Sequence, residues 1–153
     1  MNRIALIAHT LALVSFALVA ATSAQPVRAR PLVEVFKSPS CGCCANWVKH
    51  MQANGFNAHT TEVNDLTQIK TSRGVPAEAQ SCHTAVVNGY VIEGHVPAAD
   101  VLRLLKEKPA VSGIAVGGMP VGSPGMETPY VKAEPYSVLS FDKNGVTRVF
   151  GKH

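Results

Sequence analysis

No basic run, no second long apolar segment, no internal repeat and no low-complexity tract occurs in these 153 residues. Each absence removes a class of function. Without clustered Lys and Arg, and with a formal charge of only +4, the chain lacks the electrostatic footprint of a nucleic-acid-binding protein. Beyond its first two dozen residues, no apolar stretch is long enough to span a bilayer. Cysteine is scarce as well: there are four, of which three form the cluster Cys41-Gly42-Cys43-Cys44, with Cys82 alone. Thiolates packed so closely suit disulfide exchange or the binding of a soft metal ion.

The opening segment carries Arg3 and then an apolar run from Ile4 to Ala21, broken by His9, Thr10 and Ser15. It closes on the small residues Ala21-Thr22-Ser23-Ala24, which favours a cleaved secretory signal peptide over a retained membrane anchor. Cleavage after Ala24 removes one positive charge, Arg3, so the formal charge falls from +4 to +3. The remaining 129 residues (153 minus 24), residues 25–153, fit one domain large enough to bury a core without structural disulfides. A periplasmic location, with no membrane contact after cleavage, is the expectation.

Leu32 to Phe36 reads as a strand, and Lys37-Ser38-Pro39-Ser40 as a turn into the cysteine cluster. Cys44, Trp47, Val48 and Met51 then fall at i, i+3, i+4 and i+7, so the cysteines begin a helix, with Trp47 and Met51 in the core and Gly55 as a left-handed stop. Phe56 to Val63 predicts a second strand and Leu66 to Arg73 a short helix ended by Gly74. A hairpin around Asn88-Gly89 joins Thr84–Val87 to Tyr90–Glu93, and Pro97 opens a helix that Pro109 stops. The order β-α-β-α-β-β-α, with cysteines at the first strand-to-helix turn, predicts an α/β thioredoxin-like fold.

After Pro109 the composition changes. Ser112 to Pro129 holds five glycines, three prolines, Met119 and Met126, and predicts an irregular loop. A second hairpin, Tyr136–Phe141 and Val146–Phe150, closes the chain.

Cys41 and Cys44 are spaced as C-x-x-C at a helix start, where free N–H groups stabilise thiolate. A thiol–disulfide oxidoreductase in which Cys41 attacks and Cys44 resolves follows from that spacing. Cys43 would offer such a switch a competing partner, whereas a metal site gains a ligand. Cys82 lies just before the hairpin strand, where thioredoxin-like folds place a proline facing the C-x-x-C turn, so the fold would bring all four sulfurs together. Adjacent Cys43 and Cys44 suit a tetrahedral zinc site poorly. Cu(I) accepts low coordination, bridging thiolates and thioethers such as Met119 and Met126. Ala45 in place of His excludes c-type haem attachment, and an iron–sulfur cluster fits an oxidising compartment badly. Two structural disulfides are the competing use of the four thiols, although bridging Cys43 or Cys44 to a neighbour demands strained geometry. His83 is either a ligand or a polar group on the far face of its strand. His95 reads as a helix-entry residue and His50 as solvent-facing.

Five segments together resemble one family: Lys37–Cys44, Trp47–Met51, Ser81–Ala85, Gly89–Pro97 and Gly118–Glu127. They are similar to the CopG-type periplasmic copper-resistance proteins, long classed as a domain of unknown function. The resemblance runs from Leu32 to Glu127; residues 130–153 match only a generic extended pattern. It implies a thioredoxin-like domain that binds copper, as Cu(I) with Cu(II) as the oxidised alternative, in several ions bridged by Cys41, Cys43, Cys44 and Cys82. Met119, Met126 and His83 would be the secondary ligands, and proteins of copper export or tolerance the partners.

Overall fold

A computed structural model describes residues 30–153; the leader expected over residues 1–24 lies outside the described residues. Strand β1 (Leu32–Lys37) alternates, burying Val33, Val35 and Lys37 while Leu32 and Glu34 face outward. Helix α1 (Gly42–Ala53) buries Cys44, Trp47, Val48 and Met51, the stripe set by the 3.6-residue period. Gly55 (φ 86°) reverses the chain into β2 (Asn57–Glu62), parallel to β1. The short helix α2 (Thr67–Ser72) ends at Gly74 (φ 66°). A 3-10 turn, Ala77–Ala79, leads to β3 (His83–Val87), which pairs antiparallel with β1 and, through Asn88-Gly89, with β4 (Tyr90–Glu93). Both turn residues have positive φ (46° and 85°), the twist a two-residue hairpin requires. Helix α3 (Ala98–Glu107) follows Pro97.

The segment from Ser112 is not wholly irregular as its composition predicts. Gly113–Ala115 form strand β5, parallel to β4. All three residues are buried, so a short unbroken run replaces the alternation by which half-exposed strands are read. Strand β6 (Ser137–Phe141) then pairs antiparallel with β5, and β7 (Thr147–Lys152) with β6, across a register shift at Val138/Leu139. The closing hairpin therefore extends the main sheet, whose order is β2-β1-β3-β4-β5-β6-β7.

The main core, including Val35, Trp47, Met51, Ile92, Leu104 and Ile114, joins α1 and α3 to one sheet face. Each such side chain, fully buried, stabilises by roughly 1.5–3 kcal/mol. A smaller cluster of Val75, Ala79, Val91, Ala115 and Phe141 packs on its own. Among the described residues no helix is long and apolar enough to cross a membrane.

Candidate metal centre

Cys41 is the N-cap of α1: its backbone is extended, its Sγ accepts the Cys44 N–H at 3.3 Å, and its carbonyl accepts the Ala45 N–H. That cap places Cys43 and Cys44 in the first helical turn, where the dipole favours negative charge. Cys41 and Cys44 are joined as a disulfide, with Cα atoms 5.4 Å apart and within the ordinary span for such a bond. The turn at the helix start brings these two residues, three apart in sequence, within reach of one another. Cys43 and Cys82 are free thiols.

Cys82 reaches the cluster from the other side of the chain. Its Sγ lies 3.5 Å from Cys44 Sγ and 4.0 Å from Cys43 Sγ, and Cys41 and Cys43 are 3.5 Å apart. All four sulfurs lie within 4.8 Å of one another. Burial, and next the neighbouring Cys43, pushes the Cys82 thiol up to about 12. Without a cation it is a thiol, and a cation is what would release its proton.

A second group shares Cys82. His83 and His95 offer ring nitrogens that, with the Cys82 sulfur, also fall within 4.8 Å. His95 Nε2 lies 3.0 Å from Cys82 Sγ, and its Nδ1 lies 2.8 Å from the Pro124 carbonyl. A carbonyl only accepts, so Nδ1 carries the hydrogen and Nε2 presents a lone pair to the sulfur, the arrangement of a metal-ligating imidazole held from behind. Burial holds the His95 and His83 imidazoles below the usual range, and hence neutral at pH 7. His83 Nδ1 lies 3.5 Å from Cys82 Sγ, its ring packs 4.5 Å from the Trp47 ring, and its buried Nε2 has no hydrogen-bond partner. It is no satisfied polar group.

His95 is thus the residue that sequence reasoning passed over as a helix-entry position. Its signal was present: a hairpin centred on Asn88-Gly89 pairs Thr84 with Glu93, and two residues further on the same register sets Cys82 opposite His95. The Gly94 N–H donates to His83 O at 3.0 Å, so the pairing runs past the strand ends. His50 is half-buried rather than solvent-facing; its Nε2 accepts the Ala98 N–H at the start of α3.

The two methionines lie on a loop pinned against the site. Gly118 donates to Gln80 O and accepts from the Ser81 hydroxyl, which sets Met119, 52 % exposed, beside the Ser81-Cys82 segment. Gly125 (φ 86°) packs so closely on α1 that a Cβ there would meet Cys43 O and Trp47 N at 2.7 Å, and half-buried Met126 follows it. Trp47 Nε1 donates to Val96 O at 2.8 Å, tying α1 to the segment that carries His95.

Two solved structures, both named as copper resistance protein CopG, are similar to this chain. The Form 2 structure shares 41 % identity at a TM-score of 0.77, covering 81 % of this chain and 98 % of its own. The Form 1 structure shares 42 % identity at a TM-score of 0.75, covering 80 % and 96 %. The chain belongs to the CopG copper-resistance family. Residues 79–126, which hold Cys82, His83, His95 and both loop methionines, also match the family model described as a protein of unknown function, DUF411. No curated protein matches the chain. Within the CopG family, then, this chain brings four sulfurs and two imidazoles to one place, a donor set of the soft and borderline kind that copper takes.

Proposed function

We propose that the protein is a periplasmic copper-binding protein of copper tolerance, holding Cu(I) in a thiolate-bridged cluster on Cys41, Cys43, Cys44 and Cys82. The observation that carries this reading is the convergence of all four sulfurs within 4.8 Å, together with two neutral imidazoles on Cys82. So tight a group of thiolates would repel itself; several cations bridged by sulfur neutralise it. His95 and His83 complete the donor set, and Met119 and Met126 supply thioethers from the loop beside it. Residues 1–24 act as the export signal, and proteins of copper export or tolerance are the exchange partners. The fold is read as thioredoxin-like, supported by the order β2-β1-β3-β4 with β1 and β2 parallel and the cysteines at the β1–α1 turn.

The Cys41–Cys44 disulfide favours a second reading, thiol–disulfide exchange in which Cys41 attacks and Cys44 resolves. The two are compatible in sequence: binding on all four thiolates requires the disulfide to be reduced, and oxidation leaves Cys43, Cys82 and the imidazoles.

Metal content by mass spectrometry on reduced protein supplied with copper, paired with X-ray absorption at the copper edge, tests the first reading. Several copper ions per chain with sulfur-dominated scattering are expected. Less than one ion per chain, or scattering from nitrogen and oxygen alone, overturns it.

A further inference from the structure

We propose that the buried pair Lys70–Glu93 is a positioning device for the metal-binding segment, holding Cys82 and His95 against the cysteine turn. This rests on the reading of that site as a metal centre. Glu93 is fully buried and Lys70 nearly so, with Nζ and Oε1 2.5 Å apart. The carboxylate does more than answer the ammonium. Its Oε1 accepts the Ser81 N–H at 2.7 Å and its Oε2 accepts the Thr84 hydroxyl at 2.7 Å, while Lys70 also donates to Thr84 Oγ1 at 3.0 Å. Ser81 and Thr84 flank the dipeptide Cys82-His83, so one side chain grips both ends of the segment that delivers Cys82.

Glu93 also sits two residues before His95, and the register that sets Thr84 opposite Glu93 sets Cys82 opposite His95. Gly94 between them (φ 70°) admits Ser81 so closely that a Cβ would meet its side chain at 2.5 Å. The pair therefore fixes both halves of the Cys82–His95 contact from behind, while Lys70 brings α2 into the assembly. A purely structural role calls for no such pair, because an apolar pair of similar volume often stabilises a core as well or better. A hydrogen-bonded support behind metal ligands has the opposite economy: its loss loosens ligand geometry and typically weakens binding 10–100-fold.

The test is the double variant Lys70→Met/Glu93→Leu, which removes both charges together, leaves no buried ion unpaired and deletes the bonds to Ser81 and Thr84. It is compared with the wild-type chain by circular dichroism, by copper affinity against a competing chelator, and by the rate at which iodoacetamide modifies each cysteine of the reduced, metal-free protein. A folded variant whose Cys82 reacts severalfold faster, with Cys41, Cys43 and Cys44 unchanged, and whose copper affinity falls by about 10-fold or more, is the expected result. A folded variant matching wild type in Cys82 rate and copper affinity overturns the proposal. Where the double variant does not fold, Thr84→Val supplies the same comparison, since it keeps shape and both charges and deletes the two bonds that tie Thr84 to Glu93 and Lys70. Wild-type protein that takes up no copper would overturn the metal reading instead; the alkylation rates, measured without metal, would still decide whether the pair positions Cys82.

Discussion

Cys82 Sγ and His95 Nε2 stand 3.0 Å apart, although thirteen residues separate them and the hairpin turn lies between. The contact joins the thiol cluster to a neutral imidazole whose other nitrogen is already occupied by Pro124 O. Together with His83, it places ring nitrogens beside the four sulfurs.

Replacing His95 with Gln should remove that donor while leaving the four sulfurs in place. Loss of a supporting group behind a ligand costs 10–100-fold in metal affinity, and loss of the ligand itself should cost at least about 10-fold. Chelator competition would show the loss, and the nitrogen contribution to copper-edge absorption should fall to that of His83 alone. Unchanged affinity and scattering would remove His95 from the ligand set.

Cys43 separates the two readings of the cysteine turn. It is absent from the Cys41–Cys44 bond yet lies 3.5 Å from Cys41 and 4.0 Å from Cys82. Cys43→Ser should sharply reduce the copper bound per chain and leave disulfide exchange through Cys41 and Cys44 largely intact. Full copper loading in the variant would count against a thiolate-bridged cluster.

His83 makes the metal-free protein sensitive to acid. Burial depresses its folded-state value far below 6.5, so between pH 6.5 and the folded value the unfolded chain binds a proton that the folded chain refuses. The penalty is absent above pH 6.5 and grows as pH falls, by up to about 1.4 kcal/mol per pH unit. Glu93, raised by burial, acts in the opposite sense above its model value of 4.5, so the comparison must isolate His83. His83→Phe, which also removes the unpartnered Nε2, should gain stability over wild type as pH drops from 7 to 5. Urea melts of both proteins at several pH values check this; parallel curves would refute it.

Gly125 fastens the methionine loop to α1. Alanine there must hold a φ of 86° and would push its Cβ to 2.7 Å from Cys43 O and Trp47 N. Gly125→Ala should cost roughly 1–3 kcal/mol through backbone strain, with further loss from the contact itself. Chemical denaturation of reduced, metal-free protein measures it, and a change below about 0.5 kcal/mol would show that the loop is not held at this point.

Much of the architecture was legible because its signals are local. The stripe Cys44, Trp47, Val48, Met51, the stops at Gly55 and Gly74, and the Asn88-Gly89 turn all sit where periodicity and positive φ put them. Strand β5 was not legible: Gly113-Ile114-Ala115 lies in a glycine- and proline-rich stretch, and only its pairing with β4 and β6 makes it a strand. Nor did anything local say that β6 and β7 would extend the main sheet, since a hairpin's outer partner is chosen by whichever edge is open.

The sequence by itself determined the chemistry on offer: four thiols, three of them at a helix start, with histidine and methionine in later segments. Residue type and spacing are covalent facts that survive any folding. Only the tertiary structure decided which donors meet. It set Cys82 within 4.0 Å of Cys43, turned His95 from a helix-entry residue into Cys82's neighbour, and buried Lys70 and Glu93 behind them. Those contacts depend on sheet register and on packing between elements distant in the chain, and neither is written in any short stretch of residues.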